Sequence, residues 1–199
     1  LEGIRLEGPA AAFTVTSNQS LMSGTGALVE YPLHVANVSF GPLRIEQNTL
    51  SGGALVAGSV SSRSYAVLLE SVTPGAGLLM RDNTFRAAGT PGCGALVYGL
   101  YSYASSGLFE RNRFLAPSGG QTLGGYIIRG GQLELYGNHF WAGRATGSSS
   151  CQPSYISAGL FIDSALPGSV QTDVWAIGNT IDGEGEAGQS ARSYGLVCH

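Results

Sequence analysis

Asp182, Glu184 and Glu186 alternate with glycine in the stretch Asp182-Gly183-Glu184-Gly185-Glu186-Ala187-Gly188, a spacing that offers hard oxygen donors to a weakly held calcium ion. The stretch lacks the ligand order of an EF-hand loop, and a solvated acidic turn is the favoured reading. Glu46, Arg81 and Glu110 recur two residues before an asparagine. They would serve either as a carboxylate pair bridged by a guanidinium, the chemistry of acid–base catalysis, or as a row of opposite charges that steadies stacked strands; the second is favoured. His34, His139 and His199 lie far apart, none beside an obvious Ser or Cys nucleophile, and read as surface or loop residues. Cys93, Cys151 and Cys198 form an odd set without a C-x-x-C pair, which gives a zinc site no support and leaves their pairing open.

Aromatic side chains are the other resource. Trp141, Trp175, Tyr98, Tyr101, Tyr103 and Tyr136 are candidates for a surface that stacks on sugar rings, with ordinary packing as the competing use. Asn37-Val38-Ser39 and Asn18-Gln19-Ser20 are acceptor sequons for N-glycosylation. No catalytic constellation emerges, and neither catalysis nor a cofactor is expected.

The elements that position these residues follow from a repeated signature, apolar-x-apolar-x-x-Asn-x-apolar. It appears as Leu43-x-Ile45-x-x-Asn48-x-Leu50, Leu78-x-Met80-x-x-Asn83-x-Phe85, Leu133-x-Leu135-x-x-Asn138-x-Phe140 and Val174-x-Ala176-x-x-Asn179-x-Ile181, and with a weaker first position as Gly107-x-Phe109-x-x-Asn112-x-Phe114. Phe13-x-Val15-x-x-Asn18 opens the series. Six of the seven asparagines occupy this slot, so the residue is placed rather than scattered. Period-two alternation on either side predicts two short strands joined by a turn at the asparagine, which tolerates left-handed backbone and bonds nearby amides. Upstream, short runs such as Ala27-Leu28-Val29, Ala54-Leu55-Val56, Ala95-Leu96-Val97 and Gly159-Leu160-Phe161 predict a third strand centred on Ile4, Leu28, Leu55, Leu96, Ile127, Leu160 and Leu196. Ser64 to Glu70 is read as an extra strand inside a long loop.

One such unit has nothing to bury its apolar face against; stacking the units does. The predicted fold is all-β: a right-handed parallel β-helix, or solenoid, of about six coils of three short strands, spanning 1–199 as one domain and forming a segment of a longer repeat protein. Asn18, Asn48, Asn83, Asn112, Asn138 and Asn179 are expected to form an inner ladder of amides. Thirty-one glycines and 12% charged residues agree with turn-rich β structure. All ten basic residues are Arg, and a net charge of −3 without a basic run argues against nucleic acid. With no long apolar run, membrane contact by this segment is not expected.

The combination of small-apolar run, loop and Asn-centred strand pair resembles the parallel β-helix of the pectin-lyase-like superfamily over essentially the whole chain. The Lys-free, Gly/Ala/Ser-rich texture is also similar to trypanosomatid dispersed gene family surface proteins. The uniform ladder, the variable loops and the lack of converging titratable groups favour a structural or adhesive section of an extracellular or cell-surface protein, with glycans or other surface proteins as partners. The coils are expected to continue or to associate end to end. The alternative is a polysaccharide lyase or hydrolase, or a carbohydrate-binding relative; the clustered carboxylates of the superfamily's lyases have no counterpart here.

Overall fold

Alternation of apolar and polar residues sends every second side chain to one side of a strand, and three strands per coil close those sides around a common interior. The computed structural model describes residues 1–8, 12–22, 25–55, 62–73, 77–89, 95–129, 131–145, 156–164, 172–184 and 192–199. Three parallel sheets run through it. Sheet A holds Glu2–Glu7, Val29–Ala36, Arg63–Glu70, Leu96–Tyr103, Gln121–Ile128, Ile156–Asp163 and Arg192–Cys198. Sheet B holds Phe13–Thr16, Leu43–Glu46, Leu78–Arg81, Gly107–Glu110, Gly131–Tyr136 and Thr172–Ile177. Sheet C holds Gln19–Leu21, Thr49–Ser51, Thr84–Arg86, Arg113–Ala116, His139–Ala142 and Thr180–Gly183. The chain passes through A, B and C and returns to A one coil further on, making a parallel β-helix of about six coils with no helix among the described residues.

The signature residues fill the interior. Leu43, Ile45, Leu50, Met80, Phe85, Phe109, Phe114, Leu135 and Phe140 are fully buried. Phe85, Phe114 and Phe140 stack at centroid separations of 5.7 and 5.1 Å. Burial of each such side chain contributes about 1.5–3 kcal/mol, which is where the stack gains most of its cohesion.

The turn between sheets B and C differs from expectation in one respect. The left-handed residue is the one before each asparagine: Ser17, Gln47, Asp82 and Arg111 have φ of 55°, 57°, 56° and 52°, and Gly137 and Gly178 take the same place at 61° and 66°. Relieved of the turn, the asparagine points inward. The Nδ2 group of Asn18 donates to Asn48 Oδ1 at 2.9 Å, and the contact repeats from Asn48 to Asn83 (2.9 Å), Asn83 to Asn112 (2.8 Å), Asn112 to Asn138 (3.0 Å) and Asn138 to Asn179 (3.0 Å). Each of these Oδ1 atoms also accepts the backbone N–H of the asparagine one coil earlier. The second Nδ2 hydrogen of Asn48, Asn83, Asn112, Asn138 and Asn179 goes to the carbonyl of Val15, Ile45, Met80, Phe109 and Leu135. Buried amides with every donor and acceptor paired cost the core nothing and fix the register.

Sheet A corrects the predicted third strand. Its true column is Ile4, Leu33, Val67, Leu100, Gly125, Leu160 and Leu196. The stretch Ser64 to Glu70 belongs to the sheet itself, whereas Thr25–Ala27 and Ala54–Leu55 pair in a separate two-stranded sheet and Leu28 is 53% exposed. The cause is a break in the alternation. Gly99, Gly124, Gly159 and Gly195 sit mid-strand, where the paired register skips a residue, and two successive residues face inward. Here sheets A and C touch backbone to backbone: a Cβ on Gly99 would meet Phe114 C at 2.8 Å and Leu115 N at 3.0 Å.

A second inward column, at the start of sheet A, ties the connection from sheet C. Ser64 Oγ accepts from Ala88 N at 2.8 Å, while Thr122 Oγ1 donates to Gly143 O at 2.6 Å and Ser157 Oγ to the same oxygen at 3.0 Å. Glu30 pairs with Ser64 in this column, fully buried. Its Oε1 accepts from Gly53 N at 2.5 Å, and its Oε2 has no hydrogen-bond partner among the described residues. Burial pushes the Glu30 carboxyl above the ordinary carboxylate range, opposed more weakly by the Gly53 bond. The fold therefore favours the protonated acid. That contribution is fully present below the unfolded value of about 4.5 and is lost as pH rises through the folded value. The variant Glu30→Gln keeps an acceptor for Gly53 and carries no charge. It should melt with the parent below pH 4.5 and at a higher temperature than the parent at pH 8; circular dichroism melts showing the same gap at both pH values would refute this.

Candidate functional site

The outer face of sheet A gathers more aromatic side chains than any other surface of the described residues. Stacking of coils places Tyr31, Tyr65 and Tyr98 in one column, with Tyr31–Tyr65 and Tyr65–Tyr98 centroids 5.4 and 5.0 Å apart and nearly parallel rings. Three residues further along the strands runs a second column, His34, Leu68, Tyr101, Tyr126, Phe161 and Val197. Tyr101 meets Tyr65 and Tyr98 edge-on at 88° and 85°, and Tyr126 meets Tyr101 and Phe161 at 70° and 76°. Such edge-to-face pairs each add about 0.5–1.5 kcal/mol beyond area burial and lock the rings in place.

Accessibility varies along the face, where His34 and Leu68 are also buried and Tyr31 is half-buried. Tyr65, Tyr98 and Leu123 are at most 7% exposed and form a sealed floor, whereas Tyr101, Tyr126 and Phe161 are half-buried and face outward. A ring held on its edge by a sealed floor, with the rest in solvent, offers a rigid apolar contact at little entropic cost. Polar groups flank it. Tyr126 Oη donates to Asp163 Oδ2 at 3.1 Å, and Arg129 donates to Tyr103 Oη at 2.5 Å with its guanidinium 5.3 Å from the ring centroid. Burial, with the Asp163 bond second, raises the Tyr126 phenol, and burial raises Tyr98 and Tyr101, so these hydroxyls are neutral donors at physiological pH.

At the N-terminal end of the same face lies a row that sequence reasoning missed. His34 Nδ1 is 3.3 Å from Glu2 Oε1 and Nε2 is 2.9 Å from Glu70 Oε2, and the ring stacks on Tyr31 at 5.2 Å. The bond to His34 is the main cause holding the Glu2 carboxyl below the ordinary range. His34 is thus a strand residue of the outer face, covered by its two carboxylate partners and Tyr31, rather than a loop residue, with a side chain 9% exposed. The signal was available only through register, since Glu2, His34 and Glu70 come from three coils.

The other sequence candidates divide among different faces. Tyr98, Tyr101 and Tyr103 share the Leu96–Tyr103 strand on sheet A, with Tyr98 in the floor. Trp141 stands on sheet C, where its Nε1 donates to Glu184 Oε1 at 3.2 Å, and Trp175 stands on sheet B. The six aromatics therefore do not form one surface. Asp182 is engaged by His139 Nε2 at 3.1 Å and Glu184 by Trp141, so these two acids serve different partners; Glu186 lies outside the described residues. Among the described residues no group of three His, Cys, Asp or Glu side chains is placed to hold a metal ion. Cys93 and Cys151 also lie outside them, and Cys198 is a free, exposed thiol.

In the charge row on sheet B, Arg81 bonds Glu46 at 2.7 Å but turns from Glu110 towards Asp82, which Arg111 grips at 2.7 and 2.9 Å. Arg111 holds the Asp82 carboxyl below the ordinary range. Of the two sequons, Asn18 spends its Nδ2 group on Asn48 and on Thr16 O. Asn37 is exposed at a left-handed turn (φ 55°), with Ser39 exposed beside it. No family model, no curated protein and no solved structure matches this chain.

Proposed function

We propose that this chain is a non-catalytic, adhesive section of an extracellular or cell-surface β-helix protein of the pectin-lyase-like kind, and that it holds a glycan along the outer face of sheet A. The observation that carries the reading is the strip Tyr101, Tyr126 and Phe161, half-buried on a sealed floor and bordered by Asp163, Glu70 and the Arg129–Tyr103 pair. A sugar ring presents an apolar C–H face and a rim of hydroxyls, and it is recognised by an aromatic plane with fixed donors and acceptors at its edge. Successive strands lie about 4.8 Å apart, so an extended polysaccharide lying along the helix axis would meet a new aromatic residue at each coil. The exposed Asn37 sequon suits a secreted surface protein.

A glycan array probed with the whole chain tests the reading, followed by titration of any binder. Tyr126→Ala is expected to weaken binding by about tenfold or more. Tyr126→Phe, which keeps the ring and loses the bond to Asp163, should fall between. Binding unaffected by either change would remove the strip from the function. Incubation of the bound glycan and of polyuronates, with calcium present, supplies the opposing outcome: release of shortened or unsaturated products would make the protein an enzyme, with Glu2, His34 and Glu70 as the first residues to replace.

A further inference from the structure

The strands Gly131–Tyr136 and Thr172–Ile177 of sheet B enclose, on their outer face, a cavity of about 300 Å³ lined by Gln132, Leu133, Glu134, Tyr136, Asp173 and Trp175. Parallel register builds it: Gln132 lies beside Asp173, Glu134 beside Trp175 and Tyr136 beside Ile177. Its composition is one-sided. Trp175 is 68% exposed, Glu134 stands beside it on the neighbouring strand, Asp173 precedes it by two residues on its own strand, and no basic side chain among the described residues lines the cavity. Tyr136 Oη donates to Glu134 Oε2 at 3.1 Å, which orients that carboxylate, and Glu110 stands beside Tyr136 in the preceding coil. The bond to Glu134 is also the main cause raising the Tyr136 phenol. Arg111, beside Gly137 at the turn that follows Tyr136, is bound by both oxygens of Asp82.

We propose that this cavity binds the guanidinium group of an arginine on a partner protein. An indole face is the best aromatic surface for an organic cation, and a planar guanidinium stacks on it while donating to carboxylates at its edge. Glu134 and Asp173, one on each strand, supply those acceptors, and the Gln132 carbonyl a third. Charge complementarity distinguishes this occupant from a neutral sugar, whose hydroxyls need donors and acceptors in comparable number. The site is separate from the aromatic strip of sheet A and does not depend on it.

Trp141 and Trp175 are the only tryptophans, so the Trp141→Phe chain carries Trp175 as its sole indole reporter. Fluorescence titration of that chain with the peptide Gly-Arg-Gly is expected to give a saturable change. Gly-citrulline-Gly, which has nearly the same shape without the charge, should give none. Glu134→Gln and Asp173→Asn should each weaken the arginine peptide by about tenfold, and added salt should weaken it further. Tyr126→Ala on sheet A should leave the titration unchanged, so failure here and failure of glycan binding are read separately. An equal response to the citrulline peptide, saturation by a neutral oligosaccharide instead, or no saturable change with Gly-Arg-Gly would each overturn the proposal.

Discussion

Replacing Asn112 by alanine is expected to lower the unfolding free energy by about 3 kcal/mol or more, a large share of the stability of a domain this size. Asn112 is fully buried in mid-ladder. Its Nδ2 donates to Asn138 Oδ1 and Met80 O, and its Oδ1 accepts from both the backbone N–H and the Nδ2 group of Asn83. Truncation leaves two donors of Asn83, its backbone N–H and one Nδ2 hydrogen, without partners in a dry interior, and takes from Met80 O the bond it received. Each orphaned group costs about 1–3 kcal/mol, whereas a paired one contributes about 1 kcal/mol net, so the penalty exceeds the value of the bonds removed. Asn18→Ala, at the end of the ladder with an exposed residue, should cost far less because water replaces the lost amide. Urea denaturation of the two variants checks the contrast, and an unchanged midpoint for Asn112→Ala would show that the ladder does not carry stability.

Gly124→Ala is expected to be comparably damaging although it adds a single methyl group. The new Cβ would fall against Gly159 O and within 2.7 Å of Trp141 N and 2.8 Å of Phe140 C. All three are backbone atoms of strands fixed by their own ladders, so no side chain can swing aside. Overpacking costs about 1–3 kcal/mol even where side chains yield, and the upper end or beyond applies here. Gly137 provides the control. Its φ of 61° matches positions filled by Ser17, Gln47 and Asp82 in other coils, and a Cβ there meets only Arg111 Cγ at 3.7 Å. Gly137→Asn should therefore shift the melting temperature little, while Gly124→Ala lowers it by several degrees; equal shifts would refute a steric account.

These two positions also mark what the amino-acid pattern reveals and what it conceals. The strands around each asparagine were legible because one face is dry and the other wet, so Leu43-Arg44-Ile45-Glu46 alternates cleanly and Asn48 supplies a fixed reference point. Sheet A has no such contrast. Tyr65, Leu68 and Tyr98 point outward yet are at least 93% buried, Val67 and Leu69 point inward, and the skip at the glycine column shifts the alternation halfway along each strand. Period-two reading therefore slid onto Ala27-Leu28-Val29 and Ala54-Leu55-Val56, which copy the small-apolar composition without the register. The candidate site was hidden for the same reason. Tyr101, Tyr126 and Phe161 become neighbours only when coils of unequal length are aligned, and the spacing between successive ladder asparagines runs from 26 to 41 residues. Trp141 and Trp175 misled in the opposite direction, being conspicuous residues that the fold sends to separate faces.

Every strand of sheets A, B and C bonds only to its counterparts in the coils immediately before and after it. Length and chemistry are consequently independent variables in this molecule. A whole coil added or deleted between two asparagines would change how far the rod reaches while each column kept its own kind of side chain, and the cost would be confined to the two junctions. Such a molecule works as a ruler whose graduations can be individually inscribed: one coil carries an aromatic, the next a charge, and the distance between any two marks is counted in rungs rather than set by a tertiary arrangement that must be rebuilt each time.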